Sequence, residues 1–303
     1  MSVPTPNSDN IVAVIVTYYP DVNFIDRVAA ILPQVAQIII VDNTSSGRLA
    51  DIQQRLSSFD RIHWILNPQN FGVAKALNQG IGWAKKKGYP WVLTFDQDSL
   101  PCRDMVDRLK QVYEQLNDPE KIAVIGSNYV EPNSGRVYYA SRMHPKKLWV
   151  EQKTVVTSGS LMPIGLFDKI GTFREDFFID NVDIEYCLRA RRSGYKNILV
   201  VEPLLKHAIG NPKAHHMFSL SWFKTYTSHY APFRWYFIIR NRLILVGEYL
   251  LIDPFWAAHH LIHFIGFIVK GILFEEDKRE KLRCVWLGVI DAITGNRHIW
   301  PPK

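Results

Sequence analysis

The sequence predicts an α/β fold in which a Rossmann-like, mostly parallel sheet is flanked by helices. Four apolar runs rich in β-formers alternate with helical patterns in the first 121 residues, and this alternation is typical of βαβ units. Each run stops abruptly at small, polar or acidic residues. The chain has 303 residues, of which 47% are hydrophobic, so it can bury a substantial core. The four predicted strands are Ile11–Val16, Gln37–Val41, Ile62–Leu66 and Trp91–Phe95.

The clearest helical pattern lies between the third and fourth strands. Ala74, Leu77, Ile81 and Ala84 recur at three- and four-residue spacing, and Gly88 follows as the stop. Because the carboxyl ends of parallel strands meet at one edge of a sheet, the polar strand ends predict a binding crevice there. A glycine-rich G-x-G-x-x-G turn does not follow the first strand, which disfavours a dinucleotide-binding domain.

The second part of the chain, 122–214, mixes strand and helix signals less regularly. We predict a strand over 122–125, a short helix over 163–169, a helix after 183 and a strand over 197–201. Beyond 214 the composition shifts to aromatic and basic residues. The predicted organisation is a flexible N-terminus (1–10), an α/β domain (11–214) that divides into two halves (11–121 and 122–214), and a helical, aromatic-rich C-terminal region (215–303).

The fourth strand ends at two carboxylates, Asp96 and Asp98, separated by one residue. Carboxylates, water and substrate phosphates are the usual ligands of Mg²⁺ or Mn²⁺. The pair therefore indicates a metal–diphosphate site, and hence a nucleotide-activated substrate. An ordinary acidic turn after a strand is the alternative, and the two residues alone do not decide between them.

A second carboxylate, Asp183, falls at the predicted start of a helix, after an aromatic pair. It is either a helix-terminal carboxylate that interacts with free backbone N–H groups or a general base. Transfer of a sugar with inversion requires a carboxylate that takes a proton from the attacking hydroxyl. Asp180 and Glu185 are rivals for that role.

The ordered set of motifs resembles family 2 glycosyltransferases with the GT-A fold. The elements are Val16-Thr17-Tyr18, Val41-Asp42-Asn43-Thr44-Ser45, Asn70-Phe71-Gly72, Ala76-Leu77-Asn78-Gln79-Gly80, Asp96-Gln97-Asp98-Ser99, Ser158-Gly159-Ser160 and Asp183-x-Glu185-x-Cys187-x-Arg189. Within that family the chain is most similar to rhamnosyltransferases that use dTDP-L-rhamnose. Three segments carry this likeness: Phe95–Ser99, Phe178–Glu185 and Arg234-Trp235-Tyr236-x-x-x-Arg240-Asn241.

The resemblance implies that 11–214 is the catalytic domain, with a nucleotide-binding half (11–121) and an acceptor half (122–214), and that a nucleotide-sugar site lies at the strand ends. The C-terminal region (215–303) would associate with the membrane or with another subunit. Thr17 and Asp42 would contact the nucleobase or its ribose, and Asp96 would lie near the ribose. Asp98 would bind the divalent metal, Mg²⁺ or Mn²⁺, together with the diphosphate. Two further residues, Asn70 and Gly72, would line the nucleotide pocket.

The resemblance also assigns residues of the second half. Asp183 matches the family's catalytic base. Asp180 would be an acceptor-side residue, and the alternative is that it shares or takes the role of base. His207 matches a His-x-x-Gly element near the diphosphate and would be a metal ligand with Asp98, or is a packed histidine. Ser158 and Gly159 would border the acceptor, with simple turn chemistry as the alternative. Two arginines, Arg234 and Arg240, would neutralise phosphate or belong to a solvated or interface surface.

The chain is basic, with a formal net charge of +7 and a pI near 9.2. Such a balance suits nucleic acid, an anionic membrane surface or phosphorylated substrates; on the resemblance we expect the last two and no nucleic acid. The three cysteines are isolated, which argues against a disulfide framework or a zinc site. The first ten residues lack the pattern of a signal peptide, so we expect a cytoplasmic location.

The apolar stretch Phe255–Phe274 is nearly long enough to span a bilayer. Three of its polar residues, His259, His263 and Lys270, fall on one stripe at helical spacing, which favours a helix lying in the membrane interface. Packing against the catalytic domain or against another subunit of a homo-oligomer is the second interpretation, and a spanning helix is the third.

The predicted protein is an inverting, metal-dependent glycosyltransferase at the inner face of the cell membrane. It would move L-rhamnose from dTDP-L-rhamnose to a hydroxyl of a bacterial surface glycan or a lipid-linked saccharide. The alternatives are a UDP-sugar donor, or a non-catalytic glycan- or membrane-binding protein on the same fold. A sugar-nucleotide-forming nucleotidyltransferase is disfavoured, because Thr17-Tyr18-Tyr19-Pro20 replaces the glycine-rich, basic loop expected after the first strand.

Overall fold

The computed structural model describes residues 3–44, 49–132, 135–139, 147–207, 213–216 and 224–297. Within the predicted motifs, Ser45 and the residues after His207 in the His-x-x-Gly element lie outside the described residues. The chain divides into two compact units. The N-terminal unit comprises Met1–Glu175 and Val182–Ala208, and the C-terminal unit comprises Asp176–Asn181 and Ile209–Lys303.

The N-terminal unit is built on a curled, mostly parallel sheet. Its nine strands in the described residues are β1 (Ile11–Thr17), β2 (Gln37–Asp42), β3 (Ile62–Leu66), β4 (Trp91–Asp96), β5 (Leu100–Pro101), β6 (Ile122–Val130), β7 (Trp149–Gln152), β8 (Ser160–Pro163) and β9 (Lys196–Lys206). Their spatial order is β3-β2-β1-β4-β8-β6-β9-β5, and β7 also pairs with β9. The first four strands run parallel, whereas β8 is antiparallel to both of its neighbours.

Helices cover this sheet because each presents an apolar stripe to it. They are α1 (Phe24–Ile31), α2 (Ala50–Leu56), α3 (Val73–Lys86), α4 (Met105–Glu114), α5 (Leu166–Ile170) and α6 (Val182–Arg192). All seven residues of β1 are buried, as expected for a parallel strand covered on both faces. Helix α3 approaches this strand so closely that a Cβ on Gly80 would lie 2.4 Å from a methyl group of Val14.

The predicted α/β fold is confirmed, and the four N-terminal strands lie where the apolar runs indicated. Three of them continue one residue further, so that Thr17, Asp42 and Asp96 are the last residues of β1, β2 and β4. The structure adds β5, which has only two residues and was not predicted. Near the N-terminus, the indole of Trp91 donates a hydrogen bond to the carbonyl of Pro4, and Val3 lies against the core. The flexibility expected of residues 1–10 stays a prediction.

The C-terminal unit contains the predicted helical extension. Its elements are β10 (Lys213–His216), β11 (Lys224–Thr227), α7 (Pro232–Tyr249), α8 (Pro254–Phe274) and α9 (Lys278–Thr294). The two short strands pair antiparallel. Its core is aromatic and comprises Phe178, Trp235, Tyr236, Phe237 and Cys284. The unit also includes Asp176–Asn181, which the sequence had placed in the acceptor half.

Among the described residues, α8 is the one helix that is long and apolar enough to cross a membrane by length and composition alone. It has 21 residues and a mean hydropathy of 1.5, and only 17% of its most apolar stretch is buried. The exposed side chains include Phe255, Ile262, Ile265, Val269 and Leu273. A helix that packed only inside a soluble core would bury most of these side chains.

Candidate active site

The end of β4 carries a cluster of three groups that could hold a metal ion. One oxygen each from Asp96 and Asp98 and one ring nitrogen of His207 all lie within 4.8 Å of one another. Asp98 is exposed, Asp96 is half-buried and His207 is buried. Two carboxylates and an imidazole form a donor set that suits Mn²⁺, and the two carboxylates also suit Mg²⁺. The structure therefore brings the two predicted metal ligands, Asp98 and His207, together with Asp96, which the resemblance placed near the ribose.

The pairing of β5 with β9 explains how His207 reaches the two carboxylates. These strands run antiparallel, with Pro101 opposite Leu205 and Leu100 opposite Lys206. The next residues outward are Ser99 on one strand and His207 on the other. Two residues of strand pairing thus bring the end of β9 next to the Asp-x-Asp turn.

A chain of buried hydroxyls holds the imidazole in place. Nδ1 of His207 lies 2.8 Å from Oγ of Ser99 and 3.2 Å from Oδ1 of Asp98. The Ser99 hydroxyl is also 2.7 Å from the Ser158 hydroxyl, which in turn accepts a hydrogen bond from the backbone N–H of Asp96. Nε2 of His207, 3.8 Å from Asp96 Oδ2, is then the ring nitrogen that remains available to an ion.

The charge state of His207 reflects two opposing effects. Burial lowers the pKa of the imidazole, but the hydrogen bond to Asp98 and the charges of Asp96 and Asp98 outweigh it, so the pKa is raised above its usual value. The surroundings of this histidine therefore favour a cation. Two carboxylates next to an imidazole are expected to stabilise its positively charged form.

The loop before β8 adopts a backbone conformation that requires glycine. Gly159 has a φ of 74°, and a Cβ there would lie 2.5 Å from a methyl carbon of Leu205. Its N–H donates to the carbonyl of Thr94, and the Thr94 hydroxyl donates to the carbonyl of Thr157. These contacts place Ser158 beside the end of β4. The predicted acceptor-side pair, Ser158 and Gly159, thus borders the carboxylate cluster.

The ends of β1 and β2 are joined by a buried carboxylate. Asp42 accepts hydrogen bonds from the hydroxyl of Thr17 at 2.6 Å and from the backbone N–H of Thr44 at 2.7 Å. Both Asp42 and Thr17 are fully buried. In the structure they brace the strand ends, and their direct contact with a nucleoside stays a prediction.

The loop after β3 is shaped by asparagines. Asn70 accepts a hydrogen bond from the N–H of Gly72, whose φ is 86°. The amide of Asn43 donates to the carbonyl of Gly72 and accepts from Asn67. Asn70 and Gly72 thus fix the entry to α3 next to the end of β2, which is where the resemblance put the nucleotide pocket. Asn78 of α3 exchanges hydrogen bonds with the backbone of Phe173.

Asp183 lies in the first turn of α6, where its Oδ1 accepts a hydrogen bond from the N–H of Ile184. Burial chiefly raises the pKa of Tyr129, whose ring lies edge-on to His207 with 5.5 Å between centroids. The role of Asp183 as the general base stays a prediction.

The two rivals of Asp183 are engaged elsewhere. Glu185 is buried and forms a two-pronged ion pair with Arg189, with both N–O distances at 2.8 Å. Within the C-terminal unit, Asp180 forms a similar pair with Arg234, at 2.8 and 2.9 Å. Both carboxylates thus have structural partners. Asp180 contacts an arginine of α7, so an acceptor-side role for it stays a prediction.

Two functional residues were missed in the sequence. Ser99 connects His207 to Ser158, and its signal was only its place after the Asp-x-Asp pair. Gln97, between the two carboxylates, exchanges hydrogen bonds with the backbone N–H and carbonyl of Tyr18 at 2.7 and 3.2 Å. The exposed Tyr18 is thereby held beside the end of β4. Contacts between separate strand ends of this kind leave no periodic pattern in a sequence.

The fold has counterparts among solved structures. The structure of Staphylococcus aureus TarS aligns with a TM-score of 0.56 and 13% identity, covering 88% of this chain and 44% of that one. A structure of GalNAc-T7 with UDP, GalNAc and Mn²⁺ aligns with a TM-score of 0.54 and 12% identity, covering 66% of this chain and 44% of that one. The chain thus spans less than half the length of either structure. The fold is therefore GT-A-like.

Sequence comparison identifies the family. The profile of Glycosyl transferase family 2 matches residues 13–182, more than half of the chain, so the protein belongs to glycosyltransferase family 2. The dTDP-rhamnosyl transferase RfbF of Shigella flexneri is 27% identical over 95% of this chain and 97% of its own length. The hexosyltransferase Agl10 of low-salt glycan biosynthesis from Haloferax volcanii is 25% identical over 93% of this chain and 90% of its own length.

Proposed function

We propose that the protein is an inverting, metal-dependent glycosyltransferase that moves L-rhamnose from dTDP-L-rhamnose to a hydroxyl of a bacterial surface glycan or lipid-linked saccharide. The observation that carries the proposal is the cluster of Asp96, Asp98 and His207 at the end of β4, together with a separate carboxylate, Asp183, at the start of α6. The reaction needs carboxylates that hold a metal ion for the donor diphosphate, and a separate carboxylate that removes the proton of the acceptor hydroxyl.

The residues present are suited to bind a divalent metal ion. Asp96, Asp98 and His207 would hold the ion, and Ser99 would orient the imidazole through Nδ1. When bound, the ion supplies positive charge to the departing diphosphate. We propose Mn²⁺ ahead of Mg²⁺, because an imidazole ligand suits Mn²⁺ better.

Asp183 acts as the general base. It removes the proton of the acceptor hydroxyl while that oxygen attacks the anomeric carbon and the bond to the diphosphate breaks, so the configuration inverts without a covalent intermediate. The ion pairs of Asp180 and Glu185 support this assignment, because using either as base would leave a partner arginine without its carboxylate.

Rhamnose as the transferred sugar rests on the relative from Shigella flexneri, which matches over nearly the whole chain. A binding screen tests the donor: thermal shifts are measured with dTDP-L-rhamnose and with UDP-sugars, each with and without Mn²⁺. We expect selective, Mn²⁺-dependent stabilisation by dTDP-L-rhamnose. Selective stabilisation by a UDP-sugar would refute this donor.

Two substitutions separate the metal ligand from the base. Asp98→Asn should abolish the Mn²⁺-dependent part of donor binding and reduce turnover. Asp183→Asn should reduce transfer by at least about 100-fold and leave donor binding intact. Normal turnover by the first variant would refute the metal site, and lost donor binding in the second would show a structural role. Release of dTDP with and without acceptor distinguishes an enzyme from a glycan-binding protein.

We also propose that α8 lies on the inner surface of the cell membrane. Its exposed face is apolar along its length, from Phe255 to Leu273, and the exposed side chains of His259, His263 and Lys270 border that face on one side. An apolar face with basic residues along its border suits the boundary between acyl chains and anionic headgroups. A lipid-linked acceptor would be presented at the same surface.

Flotation with vesicles containing anionic phospholipid tests this location. Ile262→Gln and Val269→Gln together should release most of the protein from the vesicles. Val22→Gln is the matched control, because Val22 is also an exposed valine but lies in the N-terminal unit. Unchanged flotation of the double variant would refute the proposal, and a dimer that dissociates on the same substitutions would identify a second copy as the partner instead.

A further inference from the structure

Residues 176–181, which directly precede α6, have an unusual backbone. Phe178, Asp180 and Asn181 have φ values of 48°, 65° and 61°, in a region that residues other than glycine rarely adopt. Oδ1 of Asn181 is buried and has no hydrogen-bond partner within the described part of the chain. A segment with this much local strain keeps its conformation only where its surroundings impose it.

Asn241 of α7 imposes part of that conformation. Its side-chain amide donates hydrogen bonds to the carbonyls of Phe177, Ile179 and Asp180, at 2.8, 3.0 and 2.9 Å. Asn241 is fully buried. One side chain thus contacts three backbone acceptors of a short segment whose irregular conformation provides no regular hydrogen-bond ladder.

Arg240, the preceding residue, completes the contact. Its guanidinium is fully buried and donates to the carbonyl of Asp176, and to Oδ1 of Asn241 at 3.1 and 3.0 Å. The arginine therefore orients the Asn241 amide as well as binding the start of the segment. A buried guanidinium that is used in this way is not available to neutralise a substrate phosphate.

Arg234, almost two turns earlier on α7, holds the end of the segment. It forms the two-pronged ion pair with Asp180, and its guanidinium also lies over the ring of Tyr230, 4.3 Å from the centroid. Planar, two-pronged pairs fix orientation as well as distance. We call Arg234, Arg240 and Asn241 the α7 clamp.

We infer that the α7 clamp consists of positioning residues for the general base. The clamped segment ends at Asn181, Val182 begins α6, and Asp183 is the next residue. A segment that is held rigid up to residue 181 restricts the backbone of Asp183, which follows two residues further along the chain. This inference rests on the proposed role of Asp183, and it gives the Arg234…Arg240-Asn241 motif a function other than binding phosphate.

The test separates catalysis from binding. Asn241→Asp has nearly the same shape but cannot donate to three carbonyls, and Arg234→Gln removes the ion pair at a partly exposed position. We expect kcat to fall about 100-fold for Asn241→Asp and about tenfold for Arg234→Gln, because a misplaced base slows the chemical step. The KM for the donor and the affinity for Mn²⁺ should stay at wild-type values.

Lys281→Met is the matched control. It breaks a buried ion pair with Glu275 in the same unit, at 2.7 Å, without removing any of the clamp's contacts. It should lower the melting temperature and leave kcat unchanged at a temperature where the variant is folded. Wild-type kcat in Arg234→Gln, or an equal loss of kcat in Lys281→Met at matched stability, would overturn the inference. Full transfer by Asp183→Asn would instead refute the proposed general base.

Discussion

Replacing Ser99 by alanine removes the hydroxyl that lies 2.8 Å from His207 Nδ1 and 2.7 Å from the Ser158 hydroxyl. All three side chains are buried, so water does not readily replace the lost contact. The imidazole then loses one of the two groups that orient its ring. Groups that orient a metal-binding histidine typically change metal affinity by about 10- to 100-fold, which corresponds to about 1.4–2.7 kcal/mol.

The assay is a titration of the Ser99→Ala protein with Mn²⁺, followed by electron paramagnetic resonance of the free ion. We expect Kd to rise by about 10- to 100-fold. Ser160→Ala is the matched control: Ser160, the first residue of β8, is equally buried, but its hydroxyl donates to the carbonyl of Val156 rather than to the cluster. An unchanged Kd for Ser99→Ala, or an equal rise for Ser160→Ala, would refute the reasoning.

Further predictions concern stability. Gly159→Ala should destabilise the protein by about 1–3 kcal/mol in urea unfolding, because Gly159 has a positive φ. Gly82→Ala should stabilise it by up to about 1 kcal/mol, because the space around a Cβ at this position of α3 is open. The reverse order of stabilities would contradict the structure. Burial, together with a hydrogen bond to Asp291, raises the pKa of Tyr236 to about 12. Its contribution to stability should be complete below about pH 10 and lost as the pH rises towards 12, so Tyr236→Phe should lose less stability than wild type between about pH 10 and pH 12. An equal alkaline loss in both proteins would exclude this tyrosine as a cause.

The strand ends could be predicted from sequence because their signals are local. A run of buried apolar residues followed by Asp96 and Asp98 indicates both the strand and the edge at which it ends. The position of His207 could not be worked out from its own neighbours. It depends on β5, a strand of two residues, pairing with a segment 108 residues away from Ser99, and no periodicity marks so short a strand.

Choosing the base among Asp180, Asp183 and Glu185 shows a similar limit. The partner of Glu185 is Arg189, four residues later on the same helix, and that spacing was visible in the sequence. The partner of Asp180 is Arg234, 54 residues later in the C-terminal unit. Only the fold could show that this carboxylate is already paired, and that Arg240 is buried rather than exposed.

The pairing of β5 with β9 has a consequence for how such a protein can diversify. The chain leaves the cluster of Asp96, Asp98 and His207 at Pro101 and returns to it at Leu205. The residues between them therefore form one long connection between two paired strands. Insertions in that connection, away from Ser158 and Asp183, would leave the spacing of Asp96, Asp98 and His207 unchanged, because the two paired residues of β5 fix both ends of the connection.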